Sequence, residues 1–89
     1  MSVGKVVCSV QGRDKGRYMI AFGCDGDFLL LCDGKERPIE RPKRKNIKHL
    51  YFTDITVDTE LIKSNKAIRK KIFSLFGKYK EENICQKKI

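Results

Sequence analysis

The chain has 89 residues, with 20 Lys or Arg against 11 Asp or Glu and a formal net charge of +9. That length holds one domain with a modest core, burying roughly 60–65% of the surface that the unfolded chain exposes. No apolar run approaches the roughly 20 residues that span a bilayer, and MSVGKVVC lacks the apolar core of an export signal, so the chain is expected in the cytoplasm.

Lys5 to Val10 predicts a first strand, with Val6, Cys8 and Val10 on one side in the period-two pattern of a half-buried strand. The turn that follows, Gly12-Arg13-Asp14-Lys15-Gly16-Arg17, is bracketed by glycines that tolerate a left-handed backbone. It reverses the chain tightly and holds three cations in solvent. Asp14 is expected to steady this turn through side-chain-to-backbone bonds. Arg17 to Phe22 predicts strand two, and Cys24-Asp25-Gly26-Asp27 a hairpin turn. Phe28 to Cys32 is an apolar run between turn residues, as in a strand buried on both faces.

Asp33-Gly34 makes the next tight turn. Arg37 to Glu40 predicts a short strand, which Pro38 confines to an edge, and Arg41 to Asn46 a polar loop. His49 to Ile55 predicts the last strand, with Leu50 and Phe52 facing in. Five short strands in under sixty residues suit a small, partly open barrel.

From about Thr59 the period shifts towards 3.6 residues. Asn65 is the expected N-cap, with Ile68, Ile72, Leu75 and Phe76 on one face and Gly77 as a left-handed stop. Lys66, Arg69, Lys70 and Lys78 take the opposite face. The organisation expected is a barrel over residues 1–58 and a basic helical extension over 59–89 packed upon it.

Charge is distributed in blocks. Residues 1–34 balance, whereas 35–48 carry Lys35, Arg37, Arg41, Lys43, Arg44, Lys45 and Lys48 against Glu36 and Glu40. Crowded like charges favour a polyanionic partner. The candidate contacts are therefore this loop, the turn cations Arg13, Lys15 and Arg17, and His49 beside Lys48. Tyr18, Phe22, Phe28, Phe52, Phe73 and Phe76 fit core positions, which leaves Tyr51 as the aromatic to offer to a base. Without an aromatic row, recognition of folded RNA by backbone and shape is favoured over reading of single strands.

Catalysis finds no support: the chain holds one histidine, His49, and no phosphate-cradling or dinucleotide glycine pattern. No cofactor, no small-molecule substrate and no membrane partner are expected. Cys8, Cys24, Cys32 and Cys85 form no C-x-x-C pair and read as unpaired thiols ahead of a zinc site.

The G-x-x-K-G spacing at Gly12, Lys15 and Gly16, following a valine-rich strand, resembles the KOW motif of ribosomal proteins and transcription factors. Leu31-Cys32-Asp33-Gly34 resembles the LVDG element of the fourteen-e class of archaeal and eukaryotic large-subunit ribosomal proteins. His49-Leu50-Tyr51-Phe52-Thr53-Asp54-Ile55 is similar to the LTDI element of that class, in the same order. The resemblance covers residues 4–58. Met19 departs from it where many KOW motifs carry another glycine, and nothing after Thr59 matches.

The resemblance implies a mainly β fold, an SH3-like barrel of about five strands with a C-terminal α-helix, that binds RNA. Gly12, Gly16, Asp33 and Gly34 would shape its turns. Ribosomal RNA is the expected partner, with ribosomal proteins as neighbours. A protein-interaction adaptor of the translation or transcription machinery is the alternative, and non-specific duplex DNA binding a third reading.

Overall fold

The computed structural model describes residues 3–77. The expectations for Lys78, Cys85 and the end of the basic extension lie outside the described residues. Among the described residues, five strands form one antiparallel sheet: β1 Lys5–Ser9, β2 Tyr18–Asp25, β3 Phe28–Cys32, β4 Lys43–Asn46 and β5 Leu50–Thr56, in the order β4-β3-β2-β1-β5. Short 3-10 helices at Ile47–His49 and Thr59–Leu61 lead into β5 and out of it, and one α-helix, α1, spans Asn65–Phe76. This is the mainly β architecture of a small SH3-like barrel with a C-terminal helix.

The alternation along the strands feeds two cores. Val7, Met19, Ala21, Leu29, Leu31 and Leu50 pack together, with Phe52 against them, and fill the barrel. The opposite parity, Val6, Cys8, Tyr18, Ile20 and Cys32, packs against Ile62, Ile68 and Ile72. Strand β1 is therefore buried on both faces rather than half-buried. The helix covers the face that a lone sheet would show to water. Gly34 permits this close packing: its backbone is left-handed (φ 77), and a Cβ there would collide with the carbonyl oxygen of Asn65.

The edge strand falls elsewhere than predicted. Residues 37–40 form no strand, because their backbone groups are already engaged. The Arg37 N–H donates to Asp33 Oδ1 (2.8 Å), the Arg37 carbonyl accepts from the Asp33 and Gly34 N–H groups, and the Ile39 N–H donates to Asn65 Oδ1 (2.8 Å). The open edge of β3 is taken instead by the charged run predicted as loop, with Leu31 opposite Lys43, Leu30 opposite Arg44, Leu29 opposite Lys45 and Phe28 opposite Asn46. Charged side chains on an edge strand also discourage further strand pairing.

Helix α1 is capped by Ser64, whose side chain accepts from the Ala67 N–H (3.1 Å), one residue before the expected cap. Asn65 is already helical and sends its amide to Ile39 and to Glu40 Oε1 (3.0 Å). That bond holds the Glu40 carboxyl below its usual range. Gly77 closes the helix in the left-handed conformation (φ 72), its N–H donating to the Phe73 carbonyl, as its position predicts. The inward stripe is Ile68, Ile72 and Phe76. Leu75 lies on the exposed side, and Phe73, expected in the core, is 52% exposed. Phe76 stacks flat on Tyr18, ring centroids 3.7 Å apart.

Candidate nucleic-acid interface

The glycine-bracketed turn is a tightly bonded bend. Gly12 and Gly16 both take positive φ (80 and 86). The Lys15 N–H donates to the Gly12 carbonyl (3.1 Å), the Arg17 N–H to the Asp14 carbonyl (2.8 Å), and the Gly16 N–H to the Ser9 carbonyl (2.7 Å). The last bond fixes the turn to the end of β1. Arg13 and Lys15 project from it, exposed.

Asp14 does not use its carboxylate on the backbone of this turn. Its side chain, 6% exposed, accepts from the Arg37 guanidinium, Nε to Oδ1 at 3.2 Å and Nη2 to Oδ2 at 3.0 Å. Arg17 returns the brace in the other direction: its Nη1 lies 2.9 Å from Oδ2 of the fully buried Asp33. The second Asp33 oxygen accepts from the backbone N–H groups of Lys35 and Arg37, each at 2.8 Å. Each turn thus sends one arginine into a carboxylate of the other. Charge-assisted bonds of this kind are the strong ones, and a buried carboxylate is tolerated only when paired and hydrogen-bonded throughout.

A third tie comes from β4. Lys45 faces the barrel interior at 8% exposure, and its Nζ donates to the Gln11 carbonyl at 2.9 Å. Desolvation pushes its pKa below the ordinary lysine value. The neighbouring Lys43 and Arg37 charges push the same way, and Asp14 opposes them. The Val10 N–H donates to the His49 carbonyl (2.9 Å), which brings the start of β5 to the base of the same turn.

The two basic stretches therefore meet at one end of the barrel. Arg17, Arg37 and Lys45 are turned to internal partners. Arg13, Lys15, Lys35, Arg41 and Lys48 are exposed there, with Lys43 and His49 half-buried, and Arg44 is exposed further along β4, towards the β2–β3 hairpin. Arg37, Arg41, Pro42, Lys43 and Arg44 join Glu36 in lining a concave cleft of about 390 Å³. Tyr51 is half-buried against the helix-side core and is poorly placed to meet a base.

The sequence reading missed the Arg44–Phe28 pair. The Arg44 guanidinium carbon lies 3.9 Å from the Phe28 ring centroid, and its Nε lies 3.3 Å from Asp25 Oδ2. Only the β3–β4 register brings these side chains together, so a reading that treats residues 41–46 as loop has no signal for it.

No family model matches the chain. The large ribosomal subunit protein eL14 of Saccharolobus islandicus (strain L.S.2.15 / Lassen #1) is 33% identical over 73 residues, covering 81% of this chain and 76% of that protein. The eL14 of Saccharolobus solfataricus is 30% identical over the same shares. The alignment is longer than the span from 4 to 58 over which the motifs run. With its KOW-like turn, its LCDG and TDI elements in order and its small barrel, the chain belongs to the eL14 family of large ribosomal subunit proteins.

Proposed function

We propose that this chain is a non-enzymatic component of the large ribosomal subunit in the cytoplasm, where it binds ribosomal RNA through the barrel end described above. The observation that supports this most is the reciprocal bracing of the two basic turns by Arg17–Asp33 and Arg37–Asp14. Bracing from within leaves Arg13, Lys15, Arg41 and Lys48 exposed about a backbone that is already fixed, with Arg44 further along β4. A polyanion that docks there releases condensed counterions and has little loop disorder to remove. The exposed arginines suit bidentate phosphate contact, while lysines add point charge.

The test is a salt titration of binding to structured ribosomal RNA. With about six phosphates engaged, log K falls against log salt with a slope near −4 to −5. A nearly flat titration removes the proposal. Equal affinity for DNA and RNA duplexes would replace it with non-specific nucleic-acid binding. Crosslinking in cells followed by sequencing of the attached RNA is expected to enrich one ribosomal RNA region.

A further inference from the structure

Alternation along β3 and β4 sends Leu29, Leu31 and Lys45 to the barrel interior, and so places Phe28, Leu30 and Arg44 on its outer side. Arg44, opposite Leu30, lies diagonal to Phe28, and its guanidinium rests 3.9 Å over that ring. Asp25, opposite Phe28 across the β2–β3 hairpin, holds the guanidinium by one edge, Nε to Oδ2 at 3.3 Å. The plane is thus backed by an aromatic ring on one face and pinned along an edge, while the Arg44 side chain remains 54% exposed. An ion pair this exposed adds little to the stability of the fold, but it fixes an orientation that a lone surface arginine would lose.

Arg44 also forms one wall of the cleft of about 390 Å³, with Arg41 and Lys43 beside it. That volume lies in the roughly 300–1,000 Å³ range of small-ligand sites and is far too small for a turn of RNA helix. Glu36 lines the same cleft. A carboxylate there repels a bare phosphate, yet it accepts hydrogen bonds from the amino edge of a base.

We propose that this corner seats a single RNA nucleotide swung out of its helix, its base stacked on the Arg44 guanidinium and its phosphate held by Arg41. The inference rests on the RNA-binding function proposed above and adds to it a point of recognition beyond charge. Unpaired bases in RNA are commonly captured on aromatic rings or on arginine planes, and an ammonium group offers no such plane.

Two RNAs test the idea with the full chain: a stem carrying one unpaired nucleotide, and the same stem fully paired. The wild-type protein is expected to bind the bulged stem about tenfold more tightly, the scale of one base stack. Arg44→Lys keeps the charge. It is expected to lose the preference for the bulge, so that the two stems are bound equally whatever change both share, with the same salt slope. Phe28→Leu, with its fold checked by thermal melting, is expected to lose most of that preference through a guanidinium no longer backed by a ring. Equal wild-type affinity for the two stems overturns the proposal, as does Arg44→Lys retaining the full preference. Failure of the wild-type protein to bind either stem rejects the RNA-binding function itself, and the nucleotide seat with it.

Discussion

Arg17, Arg37 and Lys45 turn into the end of the barrel, whereas Arg13, Lys15, Arg41 and Lys48 reach solvent at that same end. Both sets come from the same two stretches of sequence, and nothing in residue type separates them. What separates them is whether the fold sets an acceptor within reach. The inner cations meet Asp33, Asp14 and the Gln11 carbonyl. The outer ones lie on the glycine-bracketed turn, in the bend before β4 or in the 3-10 helix after it. In a basic patch of this kind the inner members make the surface rigid and the outer members use that rigidity.

The strongest way to break this division is Asp33→Ala. Arg17, only 16% exposed, is then left without its carboxylate, and the Lys35 and Arg37 N–H groups lose their acceptor. Removing one partner of a buried ion pair costs about 3–5 kcal/mol, so denaturant unfolding is expected to show a loss on that scale. A loss below about 1 kcal/mol, the worth of an exposed pair, would mean that Arg17 is an outer cation after all.

The outer set gives the mirror experiment. Arg13→Gln and Lys15→Gln are expected to change unfolding free energy by no more than about 0.5 kcal/mol. Each is expected to make the salt dependence of RNA binding shallower by about one. Unfolding that shifts while the slope stays put would reverse the assignment of inner and outer roles.

Much of the fold is legible in the amino-acid sequence, and the gaps have identifiable causes. Strands β1, β2, β3 and β5 and helix α1 announce themselves because apolar residues recur at period two or near 3.6, and because Gly12, Gly16, Gly34 and Gly77 stand where the backbone must turn left-handed. Strand β4 is silent, because Lys43–Asn46 contains no apolar residue and pairs only because β3 has an edge to offer. The helix cap is displaced by one residue because Ser64 and Asn65 are both capping types. Tertiary contacts with Ile39 and Glu40 take up the asparagine. The inner and outer cations are not legible at all, since Arg17 reaches across 16 residues and Arg37 across 23 to find their carboxylates. A basic patch can be located from sequence, but the duty of each cation within it follows from topology.

The same contrast extends to the thiols, where the effect is smallest and the sign can be worked out. Cys24 is exposed near the end of β2, and Cys32 is buried one residue before the braced Asp33. Burial pushes the Cys32 thiol from 9.0 up to about 11, and the Asp33 and Glu40 carboxylates add to the shift. A thiol-directed reagent at about pH 8 is therefore expected to modify Cys24 in the folded chain and Cys32 only on unfolding, because the thiolate is the reactive form. Linkage gives a second readout. Between 9.0 and about 11 the folded chain keeps a proton on Cys32 that the unfolded chain releases. The stabilising contribution is thus complete below 9.0 and is lost as pH climbs towards about 11. Lys45 acts in the opposite direction: its lowered pKa makes folding more favourable as pH rises just below 10.5. Both the wild-type protein and Cys32→Ala contain Lys45, so its effect cancels between them. The stability advantage of the wild type over Cys32→Ala is expected to narrow steadily across the alkaline range in denaturant titrations. A gap that stays constant with pH would mean that Cys32 ionises like a thiol in water, and that the turn it lies behind is open to solvent.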